Sequence, residues 1–490
     1  MKPIITSIAF ILCTSFLFSQ NITAKLISKE SKKPVQYANI KTGQYSGAIS
    51  NEEGFFTIRS RDKTKTIEIS CMGFKNKTLS IQEIKALGFV IKLDEAINQL
   101  SEVLITNKNP NAISILEKVR SKISENYDNN LNKYQIFHRN TDRVDFKSLT
   151  FEIDKASHVS FKGIDEANTA LIKMSEDIKT SDMVHFKDFK GTLYNLNPDS
   201  SKIAVSKATK LFDYKNNFSI EDIQKKSQSI ILKYLDTTKT YKLKTGLFKI
   251  EDSLSLKDDQ FKELEKKEYD IPYLNTESRA LLQKAQFYDT SFLDNVINPK
   301  LYEYIFEEST LNNGELTYII RFIPRKSKSK YAGKLYVSED TYAITRVDYS
   351  YYKGRHGEKL NLKLILGVKF IANVSEGMLL FEKNSRGKYH PKYLKQTVGA
   401  YFYVNRSLKF IENSRAKNKT NFDFKIEGTN RNKEELLFTS NEKITIDGFK
   451  AIQQDEIVPY TLLSTFKNTI WDDEDILEPL LEMKRFGGAE

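Results

Sequence analysis

The chain has 490 residues, of which 40% are hydrophobic and 12% aromatic, and its formal net charge is +12. This length predicts two to four domains with cores of their own, and two cysteines exclude a small fold held together by several disulfides. The charge is uneven, because residues 321–430 contain 23 basic and nine acidic side chains (net +14), whereas residues 441–490 contain five and eleven (net −6). The two segments could attract each other, or the basic one could contact anionic lipid or polysaccharide, although a solvated lysine-rich surface is the simplest interpretation.

Residues 1–19 have the pattern of a secretory signal peptide. Lys2 precedes an apolar run that is too short to span a bilayer, and cleavage is predicted near Ser19-Gln20. A buried N-terminal strand is the alternative interpretation. Lipidation of Cys13 is not expected, because the residue before it is too large. We therefore expect an exported protein, periplasmic or associated with the outer membrane, that has no nucleic-acid partner.

Residues 20–106 predict a β-sandwich, because short alternating strands are separated by turn residues such as Gly54. The ordered motifs resemble the carboxypeptidase-regulatory-like domain, a transthyretin-like sandwich common in Gram-negative envelope proteins. The residues that carry this resemblance, which spans 22–105, are Pro34–Ile40, Ser50–Phe56, Met72–Phe74 and Leu100–Val103. The resemblance implies a seven-stranded type of sandwich that serves as a scaffold or protein-contact module. Cys71 lies in an apolar run and is expected to be a small buried hydrophobe.

Residues 107–300 predict a linker helix followed by a mixed α/β region. The linker helix is expected to begin at Pro110, with Asn109 as its cap, and to end near Asn126. Ser219–Asp222 predicts a capping box, and a further short helix is expected from Thr276.

Residues 301–440 predict a curved antiparallel sheet, because alternating strands follow one another with short connections. One hairpin turn is expected at Asn312-Asn313-Gly314. The hairpin formed by Gly333–Val337 and Asp340–Ile344 resembles the half-barrel of periplasmic lipoprotein carriers. Residues 441–490 are expected to pack on this sheet as an acidic C-terminal segment.

The sequence contains no recognisable catalytic motif. Zinc-carboxypeptidase activity is not expected, because that chemistry needs a His-x-x-Glu pair. None of the five histidines has Glu at the third following position; they are His138, His158, His185, His356 and His390. The acidic run Asp472–Asp475 lacks the spacing of a calcium loop, so a solvated acidic surface is favoured. We expect no enzyme activity, cofactor or metal.

Aromatic residues offer a possible ligand or partner surface. The candidates are Tyr349, Tyr351, Tyr401, Tyr403 and Trp471, which could stack on sugar rings or line an apolar cleft, although aromatic packing inside the sheet is the default. The leading hypothesis is a non-enzymatic envelope protein whose sheet is a platform for a partner protein or for a lipid or glycan ligand. The alternatives are a carrier or sensor of an apolar ligand and, more weakly, an enzyme with an unrecognised site. Peripheral membrane contact and oligomeric state both stay open.

Overall fold

The computed structural model describes residues 21–43, 47–58, 65–96, 110–181, 183–213, 220–246, 248–255, 267–471 and 474–488. The strands are β1 (Ile22–Ser28), β2 (Asn39–Lys41), β3 (Gly47–Ile49), β4 (Phe55–Ile58), β5 (Thr66–Ser70), β6 (Lys77–Ser80), β7 (Val90–Leu93), β8 (Asn132–Ala156), β9 (Val184–Asn197), β10 (Ser200–Leu211), β11 (Thr240–Thr245), β12 (Phe248–Ser255), β13 (Glu268–Asp270), β14 (Tyr302–Asn312), β15 (Glu315–Pro324), β16 (Tyr331–Ser338), β17 (Ile344–Tyr351), β18 (Lys359–Leu362), β19 (Val368–Lys383), β20 (Tyr389–Glu412), β21 (Lys419–Lys443), β22 (Ile457–Pro459) and β23 (Thr461–Leu463). The helices are α1 (Ile81–Ala86), α2 (Ala112–Ser121), α3 (Ile123–Asn126), α4 (Phe161–Thr180), α5 (Ile220–Leu232), α6 (Ile271–Lys284), α7 (Phe292–Val296), α8 (Lys363–Leu366), α9 (Ile446–Ala451) and α10 (Leu481–Lys484). The chain is mainly β with α, as predicted.

Several predicted features lie outside the described residues. These are the signal peptide, the cap Asn109, Ser219 of the capping box, and the start of the acidic run at Asp472-Asp473. Within the described part, no helix is long and apolar enough to cross a bilayer.

The N-terminal part is a sandwich of seven strands, which confirms the predicted architecture. A sheet of order β4-β1-β7 faces a sheet of order β3-β2-β5-β6. Apolar side chains from both sheets fill the space between them, among them Leu26, Ile40, Phe56, Ile69 and Ile91. The acidic turn also forms as predicted: Gly54 has φ +79°, and the Asn51 side chain accepts hydrogen bonds from the Glu53 and Phe55 amides at 2.9 Å.

A single, almost entirely antiparallel sheet of fourteen strands follows the sandwich. Its main path is β14-β15-β16-β17-β19-β20-β21-β8-β9-β10-β23, with β11, β12 and β18 beside it. The sequence placed the start of this sheet at residue 301, whereas the structure begins it with β8 at Asn132. The sequence did not reveal β8 as a strand of this sheet, because polar residues interrupt the alternation of apolar and polar residues that predicts a strand. Its strand character comes from pairing with β21, a segment far away along the chain.

Helices cover one face of the large sheet, which we call the helical face. At one half of it, α2, α6 and α7 pack over a core that includes Ile136, Leu394 and Leu436. At the other half, α4 and α5 pack over a second core around Phe151 and Phe422. The sandwich and the part of the C-terminal segment from Leu463 onward cover the opposite face, which we call the sandwich face, whereas Val458 and Tyr460 pack against the core of the helical face.

Two helices begin at other residues than the sequence indicated. Helix α2 is capped by Asn111, whose side chain accepts a hydrogen bond from the Ile113 amide at 2.9 Å. Helix α6 begins five residues before the predicted Thr276, because Asp270 caps it by accepting from the Tyr273 amide at 2.6 Å. The predicted hairpin turn is confirmed, since Asn313 and Gly314 both have positive φ, as a tight hairpin turn requires.

Candidate functional site

A row of polar side chains crosses the helical face between its two apolar cores. The row joins directly paired positions on six neighbouring strands, β17, β19, β20, β21, β8 and β9. In that order its members are Tyr349, Gly377, Gln396, Glu434, Asn140 and Lys187. Directly paired residues point to the same face of a sheet, so these side chains form one line, which we call the polar row.

Gly377 gives the ring of Tyr349 the space to lie across the neighbouring strand. A Cβ atom at Gly377 would lie 2.5 Å from the Tyr349 hydroxyl and 2.4 Å from the carbonyl oxygen of Lys395. Without that atom, the hydroxyl lies over β19 and is close enough to Glu434 for their charges to interact. The glycine therefore extends the polar row toward the middle of the sheet.

Three buried polar atoms of this region have no hydrogen-bond partner in the described residues. They are the Nε2 of His138 and the side-chain oxygens of Asn140 and Gln396. His138 and Asn140 are almost completely buried, and His138 Nε2 lies 3.8 Å from a carboxylate oxygen of Glu434. A buried polar group without a partner lowers the stability of the fold, so each of these atoms calls for an explanation such as an ordered water molecule, an ion or a functional role.

Helix α6 places three further polar side chains over the row. Tyr273, Glu277 and Lys284 follow one another at four- and seven-residue spacing, which puts them on one side of the helix. The Tyr273 hydroxyl donates a hydrogen bond to Glu277, and the Tyr273 ring is 59% exposed. Lys284 lies over the ring of Tyr349, with its Nζ 3.5 Å from the tyrosine hydroxyl.

Burial changes the protonation of several of these groups. Burial and the nearby charge of Glu277 together raise the pKa of Glu434 to about 7. Burial lowers the pKa of Lys284 to about 8, an effect that the charge of Glu434 opposes. Burial also lowers the pKa of His138 to about 3, so its imidazole is neutral at physiological pH. The region between α6 and the polar row, which we call the cleft, therefore contains a carboxyl group and an amine whose pKa values both lie near neutral pH.

Asp142 and Lys187 lie where the cleft opens to solvent. Their side chains are 35% and 41% exposed, and the Lys187 Nζ lies 3.5 Å from an Asp142 oxygen. Asn432 donates a hydrogen bond to the same carboxylate at 2.5 Å. Buried groups with shifted pKa values, next to polar groups that are exposed to solvent, are typical of functional sites.

The structure does not bring the five aromatic residues singled out in the sequence together. Tyr349 lies in the polar row, and Tyr351 lies on the same face, stacked against Tyr331 at 5.2 Å between ring centroids. Tyr401 and Tyr403 lie on the sandwich face by strand alternation, where Lys369 and Lys363 cover their rings. Trp471 is buried against Phe137 of the sheet.

Sequence reasoning missed Glu434, Lys284 and Asn140, because no local motif links them. The one local signal was Gly377, since an isolated glycine inside a strand pattern marks a close approach of other atoms. The other members come together only through strand register.

On the sandwich face, the acidic turn of the sandwich fixes that domain to the sheet. Glu52 pairs with Lys395 at 3.0 Å and with Lys433 at 3.5 Å. Asn51 donates to the carbonyl oxygens of Glu478 and Pro479 at 3.2 Å, so the turn also holds the C-terminal segment. The turn that identifies the sandwich in the sequence is therefore its contact with the rest of the molecule.

The five histidines are dispersed over the structure. His138 lies under α6, whereas the buried His390 lies 3.8 Å from Glu382 at the far end of β20. His158 contacts the carbonyl oxygen of Tyr234. In the described ranges, no group of three or more His, Cys, Asp or Glu residues is placed so that it could hold a metal ion.

Comparison with known proteins identifies the N-terminal domain. Residues 22–105 match the family model of the CarboxypepD_reg-like domain. No curated protein matches the chain. The solved structures with some likeness include the crystal structure of MucB in complex with MucA(peri), at 8% identity and a TM-score of 0.15, covering 72% of this chain and all of that one. The Pseudomonas aeruginosa MucA/MucB complex gives 8% identity and a TM-score of 0.14, with 71% of this chain and 99% of that one covered. These scores are too low to inform the fold or the function.

Proposed function

We propose that this chain, whose residues 22–105 form a CarboxypepD_reg-like domain, is a non-enzymatic binding protein of the cell envelope. Its ligand is a hydroxyl-rich molecule of the saccharide class, held in the cleft between α6 and the polar row. The observation that carries this proposal is the cluster of polar side chains that α6 and the polar row bring together: Glu277 and Lys284 lie close enough to Glu434 to shift its pKa, and the Asp142–Lys187 pair beside them is partly exposed. A ligand with many hydroxyl groups supplies both donors and acceptors to such groups.

The chemistry around the row supports this ligand class. Carboxylates at Glu434 and Asp142, the amide of Asn140 and the hydroxyl of Tyr349 match the alternating donors and acceptors of a sugar. The exposed ring of Tyr273 lies next to these groups on α6 and offers an apolar face for a sugar ring.

A scaffold role for the sandwich is consistent with its contacts. Tyr37 stacks on Tyr393 of the sheet at 5.3 Å between ring centroids, and Lys395 donates to the Tyr37 hydroxyl at 2.8 Å. This contact lies on the opposite side of the sheet from the cleft. The sandwich therefore stabilises the curvature of the sheet without obstructing the ligand.

The alternative of an apolar-ligand carrier has less support. A carrier needs apolar side chains that line an open cleft, whereas those on the helical face are buried against helices in both described cores. The side chains between α6 and the polar row are polar.

A glycan array tests the proposal. The chain is expressed with its own N-terminal segment, purified in its processed form and applied to the array; each bound saccharide is then titrated by calorimetry. We expect Glu434→Gln and Tyr273→Ala to weaken binding about tenfold or more, since each removes one or two contacts worth about 1–2 kcal/mol. The control Glu376→Gln changes an exposed carboxylate on β19 and should leave the affinity unchanged. The proposal would be contradicted if no saccharide bound specifically, or if Glu434→Gln left the affinity unchanged.

A second candidate function is acid–base catalysis on the same ligand. The raised pKa of Glu434, near 7, favours it, because a carboxyl group poised at the working pH can donate and accept protons. Incubation of the chain with each bound saccharide, followed by mass spectrometry of the products, separates the two functions. Cleavage that is lost in Glu434→Gln supports catalysis, whereas an intact saccharide supports binding alone.

A further inference from the structure

The apolar residues of helix α8 project from the molecule into solvent. Leu364 is fully exposed and Ile365 is 77% exposed, although both are large aliphatic side chains. Burial of such side chains is worth about 1.5–3 kcal/mol each, so an exposed pair at a protruding turn is a candidate contact surface.

The turn that presents these residues is held in place by backbone contacts. Gly367 ends the helix with φ +62°, and its carbonyl oxygen accepts a hydrogen bond from the Asn405 amide at 2.8 Å. The Arg406 guanidinium donates to the carbonyl oxygen of Leu366 at 2.7 Å. A Cβ atom at Gly367 would lie 2.1 Å from the Asn405 carbonyl oxygen, so only glycine fits here. The exposure of Leu364 and Ile365 is therefore built into the fold.

A second exposed apolar group lies beside the first. The β11–β12 hairpin pairs with β20 at Leu408, two residues beyond the Arg406 contact of α8. Its residues Phe248 and Ile250 are 54% and 52% exposed. Along a strand, two residues correspond to about 7 Å, so the hairpin and α8 form one end of the molecule. We call this end the apolar tip.

The chain segment that contains α8 carries an excess of positive charge. Residues 353–370 contain five basic side chains and one acidic one, a net charge of +4: Lys353, Arg355, Lys359, Lys363 and Lys369 against Glu358. Within the described part of the chain, Lys363 and Lys369 lie over tyrosine rings, and no carboxylate forms an ion pair with either. In the described part of the acidic C-terminal segment, Glu474 and Glu482 pair with Lys190 and Arg143 of β9 and β8 rather than with this end.

We propose that the apolar tip docks on the surface of an anionic lipid bilayer, with Leu364 and Ile365 inserted at the interface and the lysines on the lipid headgroups. Exposed aliphatic side chains within a ring of lysines are the pattern of interfacial membrane binding. A protein partner would need a complementary apolar and acidic surface, whereas an anionic bilayer supplies an apolar interior and negative headgroups together.

Vesicle flotation tests this inference independently of the saccharide site. The processed chain is mixed with phosphatidylethanolamine vesicles containing about one quarter phosphatidylglycerol, and separately with phosphatidylcholine vesicles. We expect flotation with the anionic vesicles only, weakened by salt because screening reduces lysine–headgroup attraction. The double variant Leu364→Glu/Ile365→Glu should lower the bound fraction about tenfold or more, and since both residues are exposed its fold should be unchanged by circular dichroism.

Ile446→Glu is the matched control. Ile446 is 51% exposed at the start of α9, about 60 Å away along β21, so this variant should float like the unmodified chain. Equal flotation with both kinds of vesicle, an undiminished bound fraction in the double variant, or absence of flotation by the unmodified chain would overturn the proposal.

Discussion

At the scale of single residues, Glu434 is a member of the cleft whose burial lowers the free energy of unfolding. The carboxyl group lies in a sheet position that packing would fill with an apolar side chain, between two apolar cores. Its raised pKa means that the folded state holds the neutral form more readily than the unfolded chain does. Glu434 lowers the stability of the fold but lies among several polar side chains. This combination is what the proposed binding role requires and what folding alone does not explain.

Glu434→Gln should therefore stabilise the protein at alkaline pH. The pKa of Glu434 rises from 4.5 to about 7 on folding, so the stability of the unmodified chain falls as pH rises through this range and levels off above it. Glutamine does not titrate, so the variant avoids this loss. We expect the stabilisation of the variant over the unmodified chain to be about 1–3 kcal/mol larger in free energy of unfolding at pH 8 than at pH 4.

Urea denaturation of both proteins at the two pH values measures this gain. Burial lowers the pKa of His138, so this residue destabilises the fold below pH 6.5 in both proteins, and the two proteins are therefore compared with each other at each pH. A gain that is equal at pH 4 and pH 8 would refute the assigned protonation of Glu434.

At the scale of elements, the sequence predicted a structure correctly where the residues that determine it are close together along the chain. The Asn313-Gly314 hairpin and the Gly54 turn were predictable because their backbone conformation depends on those residues themselves. The pairing of β8 with β21 was not, because polar residues such as His138 and Asn140 interrupt the apolar alternation of β8. The polar row was hidden for the same reason, since strand register alone aligns its members.

Gly377→Ala should disrupt the polar row from within β19. The added Cβ would lie 2.5 Å from the Tyr349 hydroxyl and 2.4 Å from a backbone oxygen, so the strand or the ring must shift. We expect a loss of about 1–3 kcal/mol in urea denaturation, together with weaker saccharide binding. Gly448→Ala in α9 is the control, because alanine suits a helix and meets only Thr445 Oγ1, at 3.0 Å. Unchanged stability of Gly377→Ala would show that Tyr349 does not depend on this glycine.

At the scale of the whole molecule, the large sheet separates two surfaces. The sandwich and the end of the C-terminal segment occupy one face, and the helices and the cleft occupy the other. The sequence predicted the sandwich and a C-terminal antiparallel sheet, but it divided the molecule at residue 300, where the structure has one continuous sheet. Length and composition limit the number of domains, yet only long-range pairing decides which strands share a sheet.

A double-mutant cycle measures how strongly the acidic turn of the sandwich is coupled to the sheet. Glu52→Gln and Lys395→Met remove the two partners of a half-buried contact between them. We expect a coupling of about 0.5–1.5 kcal/mol in urea denaturation, because each partner stabilises the other. The exposed Lys29–Asp94 pair inside the sandwich is the control and should give a smaller coupling. A coupling of zero for Glu52 and Lys395 would mean that this contact does not stabilise the attachment of the sandwich to the sheet.

The most direct test of the proposed function is a crystal structure of the chain with a saccharide selected on the array. The proposal predicts electron density for the sugar between α6 and the polar row, within hydrogen-bonding distance of Glu434 and Asn140 and beside the ring of Tyr273. Sugar density elsewhere, on the sandwich or at the apolar tip, with the cleft under α6 unchanged, would contradict it.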